Sequence, residues 1–281
     1  MNSKKTRRAM ILAIICTVLL VFFYYENKHL VVSKYTYVSN KIEKELDGFK
    51  IVQISDLHNA KFGTDNKRLI AKIEELNPDI IVITGDLVDS NHTNINRVLK
   101  FIDVIVRVCP VYYVTGNHEY WLSKDDFNKL ITGLDERGVI ILNNECVVIS
   151  KGEASFNLIG IDDNNLADDT LNNIVKSCGD NFNLILVHEP QYLHDYSNSK
   201  ADLVLSGHAH GGQIRLPFIG GVVAPGQGFN PKYTEGKYQD GDTTMIVSRG
   251  LGNSIIPLRL FNDPEVVYVE LKTSFSNAWY D

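Results

Sequence analysis

The stretch that decides the fold is Asp79–Asp86, which reads DIIVITGD. Its apolar run is typical of a strand buried on both faces of a parallel sheet, and the Gly-Asp pair after it is typical of a turn. Apolar residues recur at helical spacing before it, in Lys67–Leu76, and after it, in Asn94–Val108. Such alternation of strands and helices predicts an α/β domain, and a strand-rich carboxyl half predicts a second layer or sheet.

Four further predicted strands run into polar residues in the same way. They are Lys50–Ser55, Val111–Thr115, Asn183–Val187 and Asp202–Ser206. Because the carboxyl ends of strands in an open α/β sheet line one crevice, where ligands bind, we expect the polar residues after all of these strands to converge there. The candidate ligands are Asp56, His58, Asp86, Asn117, His188, His208 and His210.

The chemistry of these side chains indicates a metal site. Imidazole and carboxylate ligands without a thiolate suit Mn²⁺, Fe or Zn²⁺. Such a set is larger than one catalytic ion with an open position can use, whereas two divalent ions that share a bridging carboxylate use it well. Gly85, Gly116 and Gly207 directly precede ligands, where a tight turn or a close backbone approach requires glycine.

The ligand motifs together resemble a known signature. Asp56-x-His58, Gly85-Asp86, Gly116-Asn117-His118-Glu119, His188 and Gly207-His208-x-His210 are similar to the blocks of the calcineurin-like metallophosphoesterases. Gly207–Pro217 and Ser248–Gly252 further resemble the bacterial membrane-anchored or exported branch of that family. The resemblance spans residues 50–270 and implies a two-sheet α/β/β/α sandwich.

The resemblance also implies roles for individual residues. One metal would be bound by Asp56, His58, Asp86 and His210, and the other by Asp86, Asn117, His188 and His208, so that Asp86 bridges them. The expected reaction is phosphoester hydrolysis by in-line attack of a hydroxide that bridges the metals. His118 would be catalytic, by stabilising the developing charge or protonating the leaving alkoxide; an orienting role without proton transfer is the alternative.

Several residues near the ligand motifs are candidates for contact with substrate. His92 follows the Asp86 turn, and Arg215, Arg249 and Arg259 are cations able to bind a phosphate. The apolar, glycine-rich segment Gly211–Gly221 is compatible with a lip that contacts lipid or with an inner strand pair of the sandwich.

The amino terminus indicates a membrane anchor. Residues 1–8 are basic, and residues 9–25 form an uncharged apolar run. Residues 26–47 have the mixed composition of a juxtamembrane linker that runs into a first strand, and residues 48–275 form the predicted domain. The positive-inside rule places residue 1 in the cytoplasm and the domain outside the cell membrane. An uncleaved signal anchor is preferred over a cleaved signal and over a buried helix of a soluble protein. Arg7-Arg8 is compatible with export by the twin-arginine machinery or by an ordinary Sec route.

Charge narrows the class of partner. The net charge of −6 divides into about +4 for residues 1–30 and about −10 for the rest of the chain. No nucleic acid is expected as a partner, since its phosphate backbone is bound by Lys and Arg. The expected substrate is a phosphomonoester, a phosphodiester or a diphosphate bond, and the location outside the cell membrane favours lipid-linked or cell-envelope compounds. The alternatives are a nuclease or a metal-binding scaffold without turnover. The 4 cysteines allow at most one disulfide in the domain.

Overall fold

The computed structural model describes residues 3–162, 170–179, 181–253 and 258–274 of the chain. Its helices are α1 (Ser3–Glu26), α2 (Lys67–Leu76), α3 (Ile95–Ile105), α4 (Asn117–Tyr120), α5 (Lys124–Asp135), α6 (Thr170–Cys178) and α7 (Leu193–Asn198). Its strands are β1 (Val31–Ser39), β2 (Lys50–Ile54), β3 (Ile80–Thr84), β4 (Val111–Val114), β5 (Ile140–Ile141), β6 (Glu145–Lys151), β7 (Ala154–Gly160), β8 (Asn183–Leu186), β9 (Leu203–Ser206), β10 (Arg215–Leu216), β11 (Gly220–Gly221), β12 (Val223–Ala224), β13 (Gly228–Phe229), β14 (Gly236–Asp240), β15 (Thr243–Val247) and β16 (Glu265–Thr273).

The strands form two six-stranded sheets. The first has the order β1-β16-β2-β3-β4-β5, in which β2 to β5 are parallel and β16 is antiparallel to β2. The second has the order β14-β15-β9-β8-β7-β6, with antiparallel strands at both edges and four parallel strands between them. Both sheets therefore contain a block of parallel strands whose carboxyl ends can hold ligands.

Apolar residues fill three layers around the sheets. Ile51, Val82, Leu158 and Leu205 belong to the core between the two sheets. A second core joins the first sheet to α2, α3 and α5, and a third joins the other sheet to α6 and α7. Each fully buried aliphatic side chain contributes about 1.5–3 kcal/mol to stability. This arrangement confirms the predicted α/β/β/α sandwich.

The amino-terminal region differs from the sequence-based boundaries. The α1 helix begins before the predicted residues 9–25 and includes the basic segment. It is long and apolar enough to cross a membrane and is exposed over residues 4–21, so the alternative of a buried core helix is wrong. The predicted linker, residues 26–47, contains β1, which pairs along its whole length with β16. The domain therefore begins earlier than residue 48.

The segment Gly211–Gly221 lies outside both six-stranded sheets. Its β10 and β11 strands form a separate two-stranded hairpin, and β12 and β13 form another. Of the two alternatives for this segment, the inner strand pair of the sandwich is therefore wrong, and the lip that contacts lipid stays a prediction. The structure also contains one disulfide, between Cys146 in β6 and Cys178 in α6, within the limit set by the sequence.

Candidate metal centre

Seven polar side chains meet at the carboxyl ends of the parallel strands of the two sheets. They follow five different strands, as the sequence predicted, and the structure brings all of them together. Asp56 and His58 follow β2, Asp86 follows β3, Asn117 begins α4 after β4, His188 follows β8, and His208 and His210 follow β9.

The first group consists of Asp56, His58, Asp86 and His210, all of them buried. His58 Nε2 lies 3.2 Å from His210 Nε2 and 3.4 Å from Asp86 Oδ2. Asp56 Oδ1 lies 3.4 Å from His210 Nε2. Four donor atoms from three loops therefore surround one point.

The second group shares Asp86 with the first. His188 Nε2 lies 3.1 Å from Asn117 Oδ1 and 3.1 Å from His208 Nδ1. It also lies 3.3 Å from Asp86 Oδ2, the same oxygen that faces His58. One carboxylate oxygen thus belongs to both groups, which is the arrangement that a bridging ligand requires.

The donor atoms fit a divalent metal ion. Ligands about 2.1 Å from a tetrahedral ion stand about 3.4 Å apart, close to the spacings in the first group. Burial lowers the pKa of both His58 and His210 to about 3, and at His210 the charge of Arg259 adds to this effect. Both imidazoles are therefore neutral at neutral pH, so each ring has a nitrogen lone pair that it can offer to a cation.

The two carboxylates of the first group have opposite pKa shifts. Burial raises the pKa of Asp56, to which the nearby charge of Asp86 adds. At Asp86 burial acts in the same direction, but the charge and the hydrogen bond of His188 outweigh it and hold the pKa below its usual range. Asp86 therefore stays ionised, as a ligand shared by two cations must.

The backbone of the ligand loops is strained. Five of the ligand residues have φ between 43° and 66°, in the left-handed region: Asp56, His58, Asp86, His208 and His210. Each such residue costs about 1–2 kcal/mol, so the surrounding structure must fix these loops. Gly207 shows how closely they pack, because a Cβ there would overlap Ser55 Oγ and the Asp56 carboxylate.

Comparison with known proteins identifies the family. Residues 49–212, more than half of the chain, match the family model described as calcineurin-like phosphoesterase. The chain belongs to the calcineurin-like phosphoesterase family. Members are phosphoester hydrolases, so this chain is a metallophosphoesterase and its Asp/His cluster is a divalent metal site.

Relatives of this calcineurin-like phosphoesterase occur in several bacteria. The uncharacterized metallophosphoesterase YkuE of Bacillus subtilis is 33% identical over 261 residues, covering 89% of this chain and 88% of YkuE. Phosphodiesterase YaeI of Escherichia coli is 29% identical over 226 residues, covering 79% and 82%. The structure of sulfate thiohydrolase SoxB of Thermus thermophilus aligns at a TM-score of 0.51 with 12% identity, covering 80% of this chain and 57% of that chain. That likeness shows the fold alone.

Glu119 is a positioning residue that the sequence analysis of this phosphoesterase missed. Its buried carboxylate accepts hydrogen bonds from the backbone N–H groups of Asp86 and Gly116, both at 2.8 Å, and of Val88 at 3.3 Å. It therefore joins the Asp86 loop to the Asn117 loop. Burial, with the added charge of Asp86, raises the pKa of Glu119 to about 8. The sequence contains a signal for this role, because a Glu three residues after Gly116 has the spacing of a capping box, in which the Glu side chain accepts a backbone hydrogen bond.

His118 lies beside the first group with a defined tautomer. Its ring centroid is 4.5 Å from that of His58, and the side chain is buried. The backbone N–H of Ser90 donates to His118 Nδ1 at 3.2 Å. Because a backbone N–H only donates, Nδ1 accepts, and we assign the proton of the neutral ring to Nε2.

The arginines proposed to bind phosphate have other partners. Arg215 forms an ion pair with Glu235 at 2.6 Å, and Arg249 pairs with Glu235 at 3.2 Å and Glu265 at 3.1 Å. Binding a phosphate would require breaking these pairs. Arg259 is wrong as a candidate, because it is 1% exposed and donates to backbone carbonyls that include that of Gly252.

His92 has the accessibility that contact with substrate requires. Its side chain is 90% exposed, on the loop between Asp86 and α3. The same loop holds Ser90 against His118. A role for His92 with substrate stays a prediction.

Metal addition should stabilise the folded protein. We expect Mn²⁺ or Zn²⁺ to raise the melting temperature of metal-stripped protein, because the donor atoms converge only in the folded state. At a free metal concentration 100 times the Kd, the free energy of unfolding should rise by about 2.7 kcal/mol. His210→Ala removes a donor and should reduce the shift, measured by circular dichroism. His194→Ala, an exposed histidine paired with Asp240, is the control and should keep it. An unchanged shift in His210→Ala would contradict the assignment of the first group.

Proposed function

We propose that this chain is a membrane-anchored hydrolase that cleaves phosphoesters at a centre of two divalent metal ions, by in-line attack of water. The observation that carries the proposal is the single Asp86 oxygen lying 3.4 Å from His58 Nε2 and 3.3 Å from His188 Nε2. A bridging carboxylate between two sets of nitrogen and oxygen donors is suited to hold two cations side by side.

The proposed roles of the metal ions and of the side chains around them follow from their charges. When bound, the two ions supply the positive charge that activates water and neutralises the phosphoryl oxygens. Asp86 and the buried imidazoles would hold that charge in place, while the ring of His118, which lies beside that of His58, would offer an Nε2–H donor. The strained loops fix these groups before substrate arrives, so little reorganisation is needed during the reaction.

The substrate we propose is a lipid-linked or cell-envelope phosphodiester, with monoesters and diphosphate bonds as further candidates. The printed name of the Escherichia coli relative, phosphodiesterase, supports testing diesters first. An aromatic surface also lies next to the site: Trp121 is 59% exposed, and its ring centroid is 4.7 Å from that of His118. An exposed indole beside a catalytic centre is suited to cover an apolar part of a substrate.

The location we propose is the cell membrane, with the domain on the outer side. The basic residues before the apolar run of α1 support this orientation by the positive-inside rule. The bond between Cys146 and Cys178 supports it as well, because disulfides persist in oxidising compartments. Export by the twin-arginine or Sec route, with cleavage of α1 as the alternative, belongs to the same proposal.

One set of assays separates the candidate functions. Full-length protein in detergent, loaded with Mn²⁺, Zn²⁺ or Fe, is assayed on a phosphomonoester, a phosphodiester and a diphosphate-linked lipid, with chelator-treated protein as the control. We expect metal-dependent hydrolysis, fastest on the diester. Absence of hydrolysis on all three substrates would reject the proposal and favour a metal-binding scaffold. Single-stranded DNA is assayed in parallel, and hydrolysis of it at the same rate as the diester would favour a nuclease.

A further inference from the structure

The point where α1 enters the domain lies at the same edge as the metal centre. Val267 in β16 pairs with Ser33 of β1 on one side and with Gln53 of β2 on the other. Because β1 and β2 run in opposite directions, Val31 at the start of β1 is level with Ser55, the residue before Asp56. Two strand spacings separate them, about 10 Å.

Side-chain contacts fix the end of α1 to that edge. The rings of Phe22 and Phe261 pack with their centroids 5.9 Å apart. Asn27 Oδ1 accepts from Asn253 Nδ2 at 2.7 Å, and Asn262 Nδ2 donates to the carbonyl of His210 at 2.7 Å. The residues next to the carboxyl end of α1 are therefore also next to a metal ligand.

An exposed apolar hairpin projects from the same place. This hairpin, residues 215–221, is called the lip from here on, and it begins five residues after His210. A hydrogen bond of 2.9 Å from Arg215 N to the carbonyl of Leu260 connects it to the segment that contacts α1. At its tip Phe218 is 109% exposed and Ile219 is 65% exposed. Adjacent apolar side chains held in water at a hairpin tip are typical of a surface that contacts a membrane or another protein.

A cationic cavity lies at the same edge, on the helix layer of the first sheet. It has a volume of about 530 Å³, and its lining includes three cations, Lys61, Arg97 and Lys100, against one carboxylate, that of Asp65. Lys28, two residues after α1, donates to the carbonyl of Lys61 at 3.0 Å. Burial, followed by the charges of Lys61 and Arg68, lowers the pKa of Lys28. Such crowded positive charge, next to the end of a membrane helix, favours anionic headgroups over a neutral partner.

We propose that the lip is a membrane-contacting element that inserts into the leaflet from which α1 emerges and holds the metal centre against the headgroup layer. The proposal rests on the proposed anchoring by α1 and extends the proposed function, because it states where the substrate is met. The bilayer is the occupant that fits, since α1 places it at this edge and residues that line the cationic cavity lie next to the end of α1.

Contact between the lip and the bilayer would determine which phosphoesters reach the metal centre. A phosphoester in the headgroup layer is already at the depth of the ligand loops, so it can reach the metals without leaving the bilayer. Lipids and lipid-linked envelope intermediates meet this condition, whereas a phosphoester deep in the aqueous phase gains nothing from the lip. The lip therefore narrows the substrate class to esters of the membrane surface.

The test measures the depth of the lip in a bilayer. Full-length Phe218→Trp is reconstituted into vesicles of phosphatidylcholine and phosphatidylglycerol, and the fluorescence of the parent chain, which has 2 tryptophans, is subtracted. The quenchers are lipids brominated near the headgroup end of the acyl chain. Val38→Trp is the matched control, because Val38 is also apolar and 57% exposed but lies seven residues further along β1, about 23 Å from its start.

We expect bromolipid to quench the added fluorescence of Phe218→Trp at least about threefold more than that of Val38→Trp. Equal quenching of the two variants would overturn the proposal. A blue-shifted Phe218→Trp emission without quenching would also overturn it, by showing that a second chain covers the lip. Ile219→Trp repeats the measurement if Phe218→Trp fails to fold. Because the readout needs no turnover, its failure is distinguishable from failure of the proposed hydrolysis.

Discussion

Replacing Asp86 with asparagine should lower metal-dependent phosphoesterase turnover by more than about 10³-fold. The substitution keeps the size of the side chain and a carbonyl oxygen able to accept the hydrogen bond from His118 N, now 2.9 Å from Asp86 Oδ1. It removes the negative charge of the one carboxylate that both donor groups share. Without that charge, no anionic ligand lies between the two dications to offset their mutual repulsion. We therefore expect the bound metal, measured by mass spectrometry, to fall from two ions per chain to at most one.

The control for this variant is Asp202→Asn. Asp202 is also a buried aspartate that accepts a backbone hydrogen bond, from Asn183 N at 2.8 Å, but it lies before β9, at the opposite end of that strand from His208. The same chemical change there should leave metal content and turnover near those of the parent protein. Parent-level turnover in Asp86→Asn, with any divalent metal, would contradict the shared-ligand assignment.

The ligand loops could be predicted from the sequence because their signal is local. A short apolar strand followed by glycine and a polar residue is visible in any of the stretches around Asp56, Asp86 or His208. Parallel strands share the edge at which they end, so the convergence followed without knowledge of side-chain positions. The left-handed backbone of these ligands was not predictable, since it is imposed by the packing of neighbouring loops.

The features that escaped prediction depend on residues far apart in the chain. β1 pairs with β16, more than 200 residues away, and nothing in residues 31–39 indicates that partner. The sequence shows that Arg215 and Arg249 are cations but not that Glu235 pairs with both. Glu119 is part of the sequence motif, but its hydrogen bond to the backbone of the Asp86 loop could not be predicted, because that loop is close to it only in the folded chain.

Replacing His118 with asparagine should lower kcat by about 10²–10³-fold while the metal content stays at the parent level. His118 lies close to His58 and Asp89 rather than in either donor group that contains Asp86, so its loss should leave both ions bound. Metal analysis and kcat together separate this result from simple loss of the site. His194→Asn, on α7, serves as the control because it makes the same change at an exposed position.

The leaving group distinguishes the two possible roles of His118. Because Nδ1 accepts from Ser90 N, the neutral ring carries its proton on Nε2, and full transfer of that proton would leave an anionic imidazole. A hydrogen bond from Nε2–H to a phosphoryl oxygen has no such cost and stabilises charge that develops in the transition state. The loss of kcat in His118→Asn should therefore be equal for nitrophenyl and alkyl phosphodiesters. A loss that grows with the pKa of the leaving alcohol would contradict this assignment and show that His118 protonates the leaving oxygen.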